Sequence, residues 1–313
     1  MNTTKSDLPG ASAQAIQHHY DVGDSFYRLW LDETRTYSCA LWESETESLE
    51  LAQLRKLDYH VTQARAHGAK RVLDVGCGWG ALMQRLTREH GVQHVTGLTL
   101  SATQKAYIER QGWPGVEVRL ESWLDHVHEA PYDAIISIGA FEHFARPDQS
   151  DADKVAGYRD FFRHCHGCLK PGGWLSLQTM SYENSSREDF SDFFAKEIFP
   201  ESDLPRLSEI AQASDRLFEV VTLRNDREHY ARTLKAWRQR LTARRAEAVL
   251  EVGEAVVARY DQYLQLAMIG FHVGTMGLLR VALRRLPEPR GTSPRASAPP
   301  GESSSSGGSR TRG

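Results

Sequence analysis

An aspartate closing a short apolar run, with a glycine at every second position after it, is the clearest ligand-binding pattern in this sequence. It lies in Arg71–Gly80, RVLDVGCGWG. Val72, Leu73 and Val75 suit a strand buried on both faces of a parallel sheet. Asp74 then stands at the strand's C-terminal end, where a carboxylate can bind the ammonium group of an amino acid. Gly76, Gly78 and Gly80 let a ligand lie against bare backbone. A helix opening near Ala81 turns its positive end toward that ligand.

The spacing narrows the choice of ligand. A dinucleotide site would read G-x-G-x-x-G, with an acid at the end of the second strand to hold ribose hydroxyls. Here the glycines are spaced G-x-G-x-G, and the second predicted strand, His94–Leu98, ends in Leu98-Thr99-Leu100. The turn is more similar to the first motif of S-adenosylmethionine (SAM) methyltransferases. A second cluster, His164-Cys165-His166-Gly167-Cys168, invites a zinc reading. Zinc takes about four ligands, normally as separated pairs, and no second pair stands at suitable spacing, so the cluster reads as a helix end and no metal is expected.

The elements that must position these residues follow from periodicity. Strands are predicted at 71–75, 94–98, 116–120, 132–138 and 174–179, with further strands at 218–223 and 277–283. Helices between the strands imply a mostly parallel sheet with right-handed crossovers. Ser44 to Glu47 reads as a capping box that opens a helix running to about Ala66, with Leu49, Leu54, Leu57 and Val61 near one face. Residues 15–67 form an aromatic-rich helical lid, and a helical insertion over 183–217 covers the site. Residues 1–14 read as a loose leader. Of the last 27 residues, 17 are Ser, Gly or Pro, so 287–313 reads as a disordered tail.

Composition bounds the partners. A net charge of −3 gives the whole chain no electrostatic case for nucleic acid. Charge is local instead: Arg232, Lys235, Arg238, Arg240, Arg244 and Arg245 fall on one predicted helix, 226–250. That helix is either a solvated face or a surface for anionic lipid, a carrier protein or a phosphorylated substrate. The start of the chain is polar and lacks an apolar run, and Leu264–Leu283 is broken by Gln265, His272 and Arg280. Four cysteines in this setting read as reduced thiols, and the expected location is the cytoplasm.

Six ordered segments resemble one family, the cyclopropane fatty acid and mycolic acid cyclopropane synthases. They are Tyr37-Ser38-Cys39-Ala40, the VLDVGCGWG loop, Gly97 to Ser101 with Gln104, and Ser137 to Phe144 (SIGAFEHF). The last two are Ile198 to Pro200 with Leu204-Pro205, and His229 to Leu234. The resemblance covers about Ile16 to Leu286. It implies a class I SAM-methyltransferase, Rossmann-like α/β fold with a seven-stranded, mostly parallel sheet and helices on both faces. It also implies that Tyr37, Ser38, Asp74, Gly76, Gly78, Thr99, Leu100 and Gln104 contact SAM, with Trp123 beside the adenine. In the family an alkene attacks the sulfonium methyl, and a bound bicarbonate removes a proton as the ring closes. Cys39, Glu142, Tyr230 and Ile138 (through its backbone) match the bicarbonate ligands, and His143 and Gln178 complete the candidate catalytic set.

Two segments depart from that pattern. The family has histidine where this chain has Gln178, which can donate a hydrogen bond but carries no proton or charge at neutral pH. The two glycines of the family's IFPGGxLP segment are replaced by Glu201 and Ser202. An intact cofactor half beside an altered pocket favours methyl transfer to a nucleophilic carbon of a small hydrophobic metabolite, with nitrogen the lesser option and Glu142 as base or cation stabiliser. Cyclopropanation of an unsaturated acyl chain is the alternative reading. A non-catalytic SAM-binding protein is the third, and an acid kept in an apolar pocket argues against it.

Overall fold

The structure, a computed structural model, describes Gly10, residues 23–189 and residues 201–288. The leader, Ile16 and the aromatic start of the lid, Ile198 to Pro200 and most of the C-terminal tail lie outside those residues. The chain forms one seven-stranded sheet: β1 (Arg71–Val75), β2 (His94–Thr99), β3 (Val116–Leu120), β4 (Tyr132–Ile138), β5 (Leu169–Tyr182), β6 (Phe218–Asn225) and β7 (Met276–Arg285). Their order is β3-β2-β1-β4-β5-β7-β6. The β3-β2-β1-β4-β5 run is parallel, and β7 enters antiparallel between β5 and β6.

Helices surround the sheet: α1 (Asp24–Tyr27), α2 (Leu49–Gln63), α3 (Ala81–Glu89), α4 (Ala102–Gln111), α5 (Asp151–Cys168), α6 (Leu207–Ser214), α7 (Arg227–Ala243), α8 (Arg245–Val252) and α9 (Glu254–Val273). The apolar faces of α2, α3 and α4 close one buried cluster with β1, β2 and β4. Phe161, Phe162 and Cys165 of α5 and Ile210 of α6 join a second cluster with β4, β5 and β7. That two-sided burial is what the continuous apolar strands require. None of the described helices is long and apolar enough to cross a membrane.

The N-terminal segment departs from its expected form. Between α1 and α2 the chain is irregular rather than helical. Helix α2 begins after Ser48, whose Oγ accepts from the Leu51 N–H at 3.3 Å. Glu47 meanwhile accepts from the backbone N–H of Ser44 and pairs with Arg55, so the Ser44–Glu47 box shapes the turn ahead of the helix. Polar residues also share the buried face of α2: Gln53, Lys56 and His60 are buried with Leu49, Leu57 and Val61, while Leu54 is only half-buried.

A third buried cluster joins α1 and the Cys39–Ala40 segment to α7 and α9. Its centre is aromatic: Trp30 lies edge-on to Phe26, Tyr37 and Trp237 with ring centres 5.5–5.9 Å apart. The cations of α7 and α8 are largely occupied within the protein. Arg238 pairs with Asp261, Arg240 with Glu50, Arg244 with Glu247 and Arg245 with Glu254, while Arg232 stacks on Trp42. The basic stretch is thus mostly an internally neutralised face.

Candidate active site

Strand β1 delivers Asp74 to the floor of a cavity at the sheet's C-terminal edge, and the glycine turn forms its rim. Gly76 and Gly78 both adopt positive φ, 81° and 54°. A Cβ on Gly76 would stand 2.5 Å from the Ala140 Cβ, whereas one on Gly78 would meet nothing within 4 Å. Gly76 is therefore fixed by packing, and Gly78 leaves open backbone beside the cavity. Tyr37, Ser38, Lys56, Gln104, Ile138 and Gly139 complete the lining. Asp74 is buried, its Oδ2 makes no hydrogen bond among the described residues, and burial pushes its acid up to about 7.

Three elements pin the Thr36–Ala40 segment over that cavity. Gln53 of α2 donates to the carbonyls of Thr36 and Ser38 at 3.3 and 2.9 Å. Thr233 of α7 accepts from the Ala40 N–H at 3.1 Å. Arg280 of β7 donates to the carbonyls of Cys39 and Ala40 at 3.2 and 3.1 Å. Thr233 falls within the His229–Leu234 segment, whereas Gln53 and Arg280 carry no motif, and their one sequence signal is a polar residue on an otherwise apolar face.

Glu142 is the buried carboxylate that follows the Gly139-Ala140 turn. It sits in a single 3-10 turn, Phe141–His143. Its Oε1 accepts from the Met180 N–H at 2.7 Å, the Thr179 side chain works against the effect of burial on the acid, and among the described residues its buried Oε2 makes no hydrogen bond. Burial raises this acid to about 7. Met180 belongs to the aromatic cluster that also holds Cys39, Trp79, Tyr230 and Tyr263. Tyr230 stands face-tilted to Phe271 with ring centres 4.5 Å apart. Glu142, Tyr230, Cys39 and Gln178 do not line the glycine-turn cavity. The arrangement is one buried carboxylate beside a packed aromatic cluster, a pairing suited to accepting a proton and to facing positive charge.

Gln178 and Cys39 are tied up differently from the expected anion pocket. Gln178 Oε1 accepts from Arg280 Nε at 2.9 Å and from His60 Nε2 at 3.3 Å. His60 Nδ1 then accepts from Ser176 Oγ at 2.8 Å, and burial holds the ring well below its usual pKa, hence neutral. The Cys39 thiol donates to the Ala40 carbonyl at 3.1 Å, and burial pushes it up to about 11. Cys39, a position implied for bicarbonate, and Gln178, where the resemblance implies a histidine, thus use their polar atoms inside the protein.

Other expected residues fall outside the cavity lining. Trp123 packs against Phe144, Phe161 and His164 at 5.3–5.8 Å, an aromatic core contact rather than a ligand wall. Thr99 donates to Gln104 Oε1 at 2.7 Å and so orients a lining residue without lining the cavity itself. Leu100 is half-buried in the turn after β2. His143 Nδ1 lies 2.7 Å from Ser202 Oγ, and burial lowers its pKa to about 4. It therefore anchors the 201–205 loop that follows β5 and is no proton carrier near neutrality. A wider cleft lined by Arg28, Asp32, Glu33, Arg240 and Arg244 lies outside the glycine loop.

Comparison with known proteins gives this arrangement its relatives. Residues 9–281 match the family described as mycolic acid cyclopropane synthetase. The cyclopropane mycolic acid synthase MmaA2 of Mycobacterium tuberculosis (strain ATCC 25618 / H37Rv) is 36% identical over 290 residues, spanning 86% of this chain and 96% of that protein. The structure of the M. tuberculosis cyclopropane synthase MmaA2 superposes with a TM-score of 0.80 at 33% identity, covering 90% of this chain and all of that one. The mycolic acid cyclopropane synthase CmaA1, complexed with SAH and CTAB, gives a TM-score of 0.79 at 31% identity over 88% of this chain and 99% of that one.

Proposed function

Because the chain belongs to the mycolic acid cyclopropane synthetase family, we propose that it is a SAM-dependent enzyme that adds a methylene unit across the double bond of an unsaturated acyl chain. SAM bound over the glycine turn supplies an electrophilic methyl group. Asp74, Ser38, Gly78 and Gln104, which line that cavity, would hold it. The aromatic cluster around Tyr230 and Tyr263 would exclude water and tolerate the positive charge left on the acceptor carbon once the alkene electron pair has bonded to the methyl and the sulfur–methyl pair has stayed on sulfur, releasing S-adenosylhomocysteine. Glu142 Oε2 accepts the proton lost as the ring closes. That buried oxygen, which makes no hydrogen bond among the described residues, is the observation that carries the reading.

Identity through nearly the whole length of the cyclopropane synthases supports this reading above methyl transfer to a small hydrophobic metabolite, which the departures at Gln178 and Glu201 favoured. Simple carbon methylation stays as the second reading on one observation: Gln178 faces Arg280 and His60 instead of offering a histidine to an anion. Purified protein incubated with methyl-labelled SAM and an unsaturated phospholipid separates the two. Both products gain the same mass, so NMR of the labelled carbon decides. A ring methylene supports cyclopropanation, and a labelled methyl group on a branched chain overturns it in favour of the second reading.

A further inference from the structure

The buried lysine of α2 has no counterpart in the roles assigned so far. Lys56 is 1% exposed, yet it stands on a helix face otherwise built to pack against the sheet. Removing an ammonium group from water costs several kcal/mol unless charge or good hydrogen bonds replace the solvent. Among the described residues its hydrogen-bond partner is Ser38 Oγ, 2.8 Å away and neutral. It forms no ion pair within 4.0 Å, although Asp32, Cys39 and Asp74 attract it at longer range and Arg280 repels it. Burial, the largest influence, lowers its pKa to about 7.

Lys56 and Asp74 line the same cavity from opposite elements, one on the helix and one on the central strand. In their ionised forms they carry opposite charges, and no hydrogen bond or ion pair joins them. A phosphate there would be drawn by Lys56 and repelled by Asp74. A lone ammonium would meet the reverse conflict. An α-amino acid end, with one group of each sign two bonds apart, satisfies both.

We propose that Lys56 holds the carboxylate of the methionyl end of SAM, with Ser38 steadying its ammonium, while Asp74 takes the amino group. This rests on the cofactor reading above and adds a charge-reading residue to it. Lys56 belongs to the N-terminal segment, so the bound carboxylate also ties α2 and the Thr36–Ala40 segment to the sheet.

Calorimetry on the full chain tests this with S-adenosylhomocysteine and with 5′-methylthioadenosine, which keeps the adenosyl thioether but has no amino-acid end. Lys56→Met is expected to weaken S-adenosylhomocysteine about 10- to 100-fold, the range for losing a hydrogen bond between charged groups, and to leave 5′-methylthioadenosine within about twofold. Equal weakening of both ligands, or no loss for S-adenosylhomocysteine, overturns the assignment. A second arm needs no variant: the unsubstituted protein is expected to prefer S-adenosylhomocysteine over its decarboxylated analogue by about tenfold or more, and equal affinity overturns the proposal. If that protein binds neither ligand, the cofactor reading itself falls and this proposal falls with it.

Discussion

Gln178 and Arg280 are direct cross-strand partners in the antiparallel pairing of β5 with β7, and the guanidinium Nε donates to the amide oxygen at 2.9 Å. That contact fixes which way the amide points. It also sets a permanent positive charge directly against Gln178, the position where the resemblance implies a histidine.

Gln178→His is therefore not a simple restoration. A neutral imidazole has one acceptor nitrogen and cannot receive from both Arg280 and His60. Turnover is expected to stay level or fall. Denaturant unfolding should show a loss of about 1–3 kcal/mol from an unsatisfied buried donor. A clear rise in turnover would show that an anion does work at this position.

Glu142→Gln should separate chemistry from cofactor binding. The amide keeps an acceptor for the Met180 N–H but cannot take a proton. We expect turnover to drop by about 100-fold or more, with S-adenosylhomocysteine affinity by calorimetry unchanged. Full activity would remove Glu142 from the mechanism.

Acidity gives an independent check on the same residue. Burial lifts Glu142 to about 7, and a base must be ionised, so the rate should climb with pH and level off above about 7. The stability effect has the opposite sense. Between about 4.5 and 7 the folded state keeps a proton that the unfolded state has lost, so this group's contribution falls as pH rises through that window. Asp74 acts with the same sign, so the difference between the wild-type protein and Glu142→Gln, in both rate and unfolding profiles, isolates Glu142.

Asp226→Ala should be among the more damaging changes away from the ligand. Arg280 is fully buried, and its Nη1 pairs with Asp226. Removing the acid strands a charge that cannot reach water, a loss of about 3–5 kcal/mol. Urea unfolding measures it, and a loss below about 1 kcal/mol would mean that Arg280 finds another partner.

How far the sequence could be read varied with the kind of contact that decides each feature. The central strands were visible because burial on both faces demands apolar runs. By contrast β3 and β6, more exposed and interrupted by polar residues, were legible from their place in the alternation of strands and helices. The glycine turn announced itself through spacing. Helix α2 was legible as a helix, but its start was misplaced because Ser44-Glu47 and Ser48 offer competing caps, and tertiary contacts to Arg55 settled the choice. Trp123 was named from the resemblance and His143 from a matching segment, and the contacts around them, an aromatic cluster and the Ser202 hydroxyl, are tertiary and leave no mark in a single sequence. Lys56 and Arg280 were hidden for another reason. Their partners lie 18 and up to 241 positions away, and a single sequence records none of that proximity.

The placement of β7 has a bearing on how this enzyme comes into being. It is the last strand of the described chain, yet it is inserted inside the sheet, and its arginine fastens a segment near residue 40. The Cys39–Ala40 clasp therefore cannot be fastened until β7 is seated between β5 and β6, so a contact near the start of the domain depends on a strand residue 241 positions further along the chain.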